Sequence, residues 1–129
     1  MGGSAVVLDT NVFVAAGFNE ESSSARLIEE IRRGELTLVW NEDTRRENWS
    51  VVERIPPVSW DPLDDLFREE GRYDAGIAPE NMDYVPDPAD RKFAALARAT
   101  DAALITNDDD LLANREEAEV CIFSPGEYV

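Results

Sequence analysis

The 129-residue chain contains no histidine. That absence removes Ser-His and Cys-His nucleophilic catalysis, imidazole acid–base chemistry and histidine-ligated zinc. Any metal must then be held by oxygen ligands, which selects hard divalent ions such as Mg²⁺ or Mn²⁺. Cys121 is the only cysteine, so an internal disulfide is excluded. It lies in the apolar run Val120-Cys121-Ile122-Phe123 and is expected in the core as a small apolar residue. No apolar run reaches the length of a membrane span. Met1-Gly2-Gly3-Ser4 lacks the basic and apolar regions of a signal peptide, so the expected location is the cytoplasm, with no membrane association. Basic residues are scarce: 12 stand against 28 acidic ones, for a net charge of −16, and Lys92 is the single lysine. A field of that sign does not draw nucleic acid to the molecule as a whole. Acid-rich, lysine-poor composition also suits a high-salt cytoplasm.

What is present suits one compact α/β domain over residues 1–129. Hydrophobic residues make up 43% of the chain, enough to fold rather than stay disordered. Ala5-Val6-Val7-Leu8 is a short uninterrupted apolar run, the pattern of a parallel strand buried on both faces. It runs into Asp9-Thr10-Asn11, so Asp9 sits where the strand leaves the sheet. In open α/β folds that carboxyl edge is where ligands bind.

The chain in order supports this reading. Val12 to Phe18 is a turn or short helical piece capped by Gly17. Leu27, Ile28 and Ile31 recur at helical spacing, and Gly34 ends that helix. Leu36 to Val39 is a second strand, joined to the first by a right-handed parallel crossover. Asn41 is an N-cap, Glu42 and Asp43 favour the helix dipole, and the helix runs to about Arg54 before Pro56-Pro57. Val51 and Ile55 form its apolar row, with Glu47 one turn earlier on the same side. Asp61-Pro62 starts another helix with Leu63, Leu66 and Phe67 inward, ended by Gly71. Residues 72–86 are polar and read as an active-site flap or a long connector, with Tyr84-Val85 a candidate short strand. Asp87-Pro88 opens a helix to about Thr100 whose core stripe is Phe93, Ala94 and Ala97. Asp90 heads that stripe and is expected to point into the fold, at the end of the helix that lies over Asp9. Ala102 to Thr106 is a further strand, exiting into Asn107-Asp108-Asp109-Asp110, and Val120 to Phe123 is the last.

Four carboxylates thus share one expected edge: Asp9, Glu47, Asp90 and Asp108. Without a cation they repel one another and their pKa values rise. Carboxylates and water around Mg²⁺ are the arrangement for in-line phosphodiester hydrolysis. The pieces VVLDTN (6–11), NEDTRREN (41–48), DPADRKFAALA (87–97) and TNDDDLL (106–112) together resemble the PIN-domain ribonucleases, most of all the prokaryotic single-domain members that include VapC-type toxins. The resemblance covers most of the chain in the family's order. It implies a three-layer α/β/α fold with a central parallel sheet of four or five strands. It also implies RNA cleavage by a Mg²⁺- or Mn²⁺-activated water, frequent homodimers, and an antitoxin partner where the member is a toxin. The family's metal-site acids fall on Asp9, Glu47, Asp90 and Asp108, with Asn11 and Thr106 as supporting polar residues. Asn107 replaces the usual glycine between Thr106 and Asp108, a mild change because Asn tolerates left-handed backbone.

Two rivals fail on particular residues. A phosphate-accepting receiver domain needs a lysine after a late strand, where this chain has Thr106. An Asp-x-Asp phosphatase fails at Asn11. A catalytically silent PIN-like binding module is the remaining alternative, favoured by the acidity and opposed by the complete set of acids. Substrate RNA has four nearby cations to meet. Arg45 and Arg46 precede Glu47, and Arg91 and Lys92 follow Asp90. As neighbours of inward residues, they are expected to rim the cleft and pair with phosphates, or else to form helix-surface ion pairs.

Overall fold

The computed structural model describes residues 4–56 and 58–128. Pro57 of the expected helix stop and the Met1-Gly2-Gly3 start lie outside them. Strands β1 (Ser4–Leu8), β2 (Leu36–Leu38), β3 (Ala103–Ile105) and β4 (Ile122–Phe123) form one sheet in the order β2-β1-β3-β4. Every pairing is parallel, with Val6 opposite Leu38 and Ala103, and Leu8 opposite Ile105. The chain leaves β1 toward β2 on one side and returns at β3 on the other. The crevice between the carboxyl ends of β1 and β3 is therefore the topological switch point.

Period-two alternation sends successive side chains to opposite layers. Val6 and Leu8 of β1 join Phe13, Leu27, Ile31, Val52 and Leu66 in one core. Val7 joins Phe93, Leu96, Leu104, Leu111 and Ile122 in the other. Helices α1 (Thr10–Phe18), α2 (Ser23–Arg32) and α3 (Glu42–Val52) supply the first layer, while α4 (Arg91–Thr100) and α5 (Asp109–Ala113) supply the second. The result is the expected three-layer α/β/α architecture. A short helix, α6 (Pro125–Tyr128), ends the described chain, where the sequence suggests only a turn.

Two glycines answer specific demands. Gly34 takes φ 82° after α2. Its N–H donates to Ile31 and that of Glu35 to Glu30, satisfying the last carbonyls of the helix in a Schellman arrangement. Gly71 ends a separate 3₁₀ turn over Glu69–Gly71, not the helix that starts at Asp61, and lies against β2, where a Cβ would stand 1.8 Å from the Leu38 carbonyl oxygen. That contact lets Trp40 and Arg72 pair as an isolated parallel bridge, with Trp40 N–H donating to Gly71 and Tyr73 N–H to Trp40. The bridge extends the outer edge of β2 without adding a fifth strand.

Several local expectations change. Gly17 lies inside α1, which runs on to Phe18 with Asn19 as its C-cap. Residues Asp61–Leu66 form a 3₁₀ helix with no side-chain cap at its start, so Leu63 and Leu66 are buried by a tighter coil than an α-helix. Tyr84-Val85 is irregular rather than a strand, and Val85 is buried as an anchor of the connector. Cys121 is exposed, not core. The last strand begins two residues later than expected, and its inward side chain is Ile122. Among the described residues no helix is long and apolar enough to cross a membrane.

Candidate metal centre

Asp9 follows β1 directly, and its backbone N–H donates to the Ile105 carbonyl at 3.0 Å, extending the β1–β3 ladder past the strand end. Its side chain is buried and heavily engaged. Oδ1 accepts from Thr10 N–H at 2.7 Å, and Oδ2 accepts from the Thr106 hydroxyl at 2.8 Å. Asn11 makes a longer contact to Oδ2, at 3.4 Å. Thr106 is fully buried at the exit of β3, and its Oγ1 also accepts from Asp108 N–H at 2.9 Å. One hydroxyl therefore ties together the exits of both central strands. Asn11 Oδ1 adds a second tie by accepting from Asn107 N–H at 3.0 Å. Asp108 is the N-cap of α5, accepting from Asp110 N–H through Oδ1.

Asp90 arrives from the opposite layer. Asp87 caps a 3₁₀ turn over Pro88–Asp90 through Ala89 N–H, and α4 starts behind it. Asp90 stands at the N-cap of α4 but makes no capping hydrogen bond. Its carboxylate is instead turned toward Asp9 and Asp108, and one oxygen from each of the three residues lies within 4.8 Å of the others. Burial, then repulsion from Asp9, Asp87, Asp108 and Glu47, pushes Asp90 up to about 7. Burial also raises Asp9, against the Thr106 and Thr10 hydrogen bonds, with Asp108 and Glu47 adding to the rise. Three oxygen donors at this spacing, two of them held above the usual carboxylate range, have the chemistry of a hard divalent-cation site.

Glu47 stands apart from this trio. The buried row of α3 is Thr44, Asn48 and Val52, one residue along from the expected row of Glu47, Val51 and Ile55. The latter row is half-buried and forms a wall of the cleft. With Asp9, Thr10, Asn11 and Asp90, and with Val14 of α1, it encloses a cavity of about 340 Å³. The cleft thus has an acidic end and an apolar end. Asn48 was not singled out by sequence reasoning, yet its buried side-chain N–H donates to Thr10 Oγ1 at 2.8 Å and locks α3 to the start of α1. The signal for it was positional: a polar residue midway between Thr44 and Val52 on one helix face.

The four cations divide. Lys92 Nζ lies 3.2 Å from Glu47 Oε1, joining α4 to α3 at the cleft. Arg91 donates instead to the Val85 carbonyl. Arg45 turns away from the cleft, packs over Trp60 and Phe67 and pairs with Asp64 at 2.6 Å, so it does not stand on the expected rim. Arg46 is exposed and pairs with Asp43.

An α/β fold with a carboxylate cluster at the switch point of a parallel sheet defines a class of proteins whose ligand site lies at the carboxyl edge of the sheet. Within it, a PIN-domain family model matches residues 5–110, so the chain belongs to the PIN-domain family, a family of nucleases. Two solved structures share the fold. VapBC2 from Rickettsia felis, bound to a DNA fragment from its promoter, is 17% identical, with 93% of this chain and 98% of that chain covered and a TM-score of 0.61. PAE2754 from Pyrobaculum aerophilum is 14% identical, with 98% and 94% covered and a TM-score of 0.55. No curated protein matches the chain.

Proposed function

We propose that residues 1–129 act as a single-domain, cytoplasmic, Mg²⁺- or Mn²⁺-dependent endoribonuclease. The observation that carries this reading is the convergence of Asp9, Asp90 and Asp108 from two layers onto one point, with their oxygens within 4.8 Å of one another. Asp9, Asp90 and Asp108 would hold the ion, and Glu47 would add a ligand directly or through water. When bound, such an ion supplies an activated water for in-line attack on a phosphodiester. The chain's own residues prepare the site. Thr106 and Thr10 orient the two oxygens of Asp9, and Asn11 with Asn107 fixes the spacing of the two strand exits. The Asp90 carboxyl, pushed up to about 7, would release its proton to solvent on holding the ion. With no histidine in the chain, acid–base work falls to these carboxylates and to water.

The likeness to VapBC2 supports a toxin role, and the cleft suits a partner protein of matching chemistry. A basic side chain would meet the acids, and apolar side chains would meet Val14, Val51 and Ile55. Such an antitoxin, if basic, would also supply the positive surface that a chain of charge −16 lacks, whereas a homodimer would only extend the cleft. The competing reading is a silent binding module, favoured by the pairing of Arg45, Arg46 and Lys92 with acids rather than their standing free for phosphates.

Incubation of total RNA with the purified protein and Mn²⁺, beside Asp9→Asn and a chelator control, tests the proposal. Cleavage by the parent alone, abolished by chelator, is the expected result. Parent and variant that are equally inactive while both are folded favour the silent module. Cleavage that survives excess chelator refutes the metal mechanism.

A further inference from the structure

Lys92 is placed against the usual rules. Helix N-termini favour negative side chains, because the macrodipole is positive there. Two helices observe this, α3 with Glu42 and Asp43 and α5 with Asp109 and Asp110, while α1 and α2 carry no acid in the first turn. Helix α4 has no acid in its first turn and begins Arg91-Lys92. Arg91 has a local reason to be there, since its side chain ties down the Val85 carbonyl. Lys92 has none of that kind. Its ammonium reaches across to α3 and meets Glu47 at 3.2 Å, with both side chains about two-thirds shielded from solvent. The chain's single lysine is thus spent on one of the four site acids, and that acid is the one outside the close trio.

Resting on the metal-dependent reading above, we propose that Lys92 is a positioning residue that holds the Glu47 carboxylate against the cleft wall and competes with the divalent ion for it. While the ion is absent, the Lys92 ammonium supplies the positive charge for that wall and keeps a fourth carboxylate from crowding Asp9 and Asp90. When the ion is present, Glu47 is released toward it. The freed ammonium then faces the same cleft, where a phosphate would lie. Lys92 is suited to this exchange because a single flexible ammonium lets go of a carboxylate more readily than a bidentate guanidinium does.

The expected consequence has an uncommon sign: removing a residue at the site tightens metal binding. Calorimetric Mn²⁺ titration of the purified full chain reads it, with melting in chelator as the check on folding. Lys92→Met is expected to bind Mn²⁺ about fivefold tighter or more, the scale of losing one positive charge several ångströms from a dication at a partly screened site. Lys92→Arg, which keeps the charge and holds a carboxylate more firmly, is expected to bind Mn²⁺ no tighter than the parent, and weaker if the guanidinium pairs bidentately with Glu47. In a Glu47→Gln background the gain from Lys92→Met is expected to shrink, because there is no carboxylate to release. If the parent binds Mn²⁺ and Lys92→Met binds no tighter, the Lys92 assignment is overturned while the metal site stands. A folded parent that binds no Mn²⁺ overturns both.

Discussion

The floor and the wall of the cleft are built from the same residue type and held in different ways. On the floor, Asp9 and Asp108 sit at strand exits, and backbone N–H groups with the buried Thr106 hydroxyl fix their carboxylates and loops. Their positions follow from sheet register, with Asp9 buried and Asp108 half-buried. On the wall, Glu47 is held by one long lysine side chain, and beyond it Arg45 and Arg46 pair with Asp64 and Asp43 on the outer face of α3. Backbone-anchored acids at strand exits make a largely preformed site, to which the start of α4 adds Asp90. Side-chain ion pairs at the edge make contacts that exchange at small cost. One helix, α3, takes part in both: its Asn48 face is locked to Thr10, while its Glu47 face stays adjustable.

The contrast breaks hardest at Asp9. Asp9→Asn keeps the shape of the floor but removes its most buried charge and turns one of its two accepting oxygens into an N–H donor. We expect metal-dependent RNA cleavage to fall by more than about 100-fold, beyond the loss typical of residues that merely support ligands. Circular dichroism of the variant should be unchanged. Thr106→Val is next. It leaves Asp108 N–H and Asp9 Oδ2 without their shared partner in a buried place, at a cost of about 1–3 kcal/mol in denaturant unfolding, together with weaker Mn²⁺ binding.

Asp90→Asn tests the electrostatics of the floor. The folded-state value of Asp90, about 7, lies above its unfolded value of 3.8, so the folded protein holds the proton more tightly. In metal-free protein this group therefore favours folding at low pH. Its contribution is lost progressively as pH rises from about 4 through about 7. The parent's melting temperature in chelator should fall between pH 6 and pH 8, and this part of the fall should vanish in Asp90→Asn. Because Asp90 is partly open to solvent, the expected stabilisation of the variant at pH 8 is discounted to about 1 kcal/mol. The smallest effect belongs to the outer surface: Arg46→Ala breaks only an exposed pair with Asp43 and should change stability by less than about 0.5 kcal/mol.

The same division governs what the sequence made legible. Asp9 and Asp108 stand one and three residues past the ends of β1 and β3, and short apolar strands are easy to read, so the floor followed from them. Asp90 could be read from its place before Phe93, Ala94 and Ala97. The inward row of α3 was misread because two of its three buried members, Thr44 and Asn48, are polar and do not mark a core face. Glu47, Val51 and Ile55 looked like that row and proved to be the cleft wall. Cys121 was misplaced for a related reason: β4 has only two residues, too few for its alternation to be read from sequence. Arg45 was expected on the rim. Its partners Trp60, Asp64 and Phe67 lie 15 or more positions away, and neighbouring residues give no hint of them. What remained hidden, then, was long-range side-chain pairing.

The central claim is that the floor formed by Asp9, Asp90 and Asp108 is a preformed divalent-cation site. Thermal unfolding of the purified chain across a Mn²⁺ series, beside Asp9→Asn, tests it most directly. An ion that binds the folded state alone stabilises it by mass action, so the parent's melting temperature should climb steadily with the logarithm of Mn²⁺ concentration above Kd, while that of Asp9→Asn stays flat. A parent whose melting temperature ignores Mn²⁺, or a variant that responds as strongly as the parent, would contradict the account.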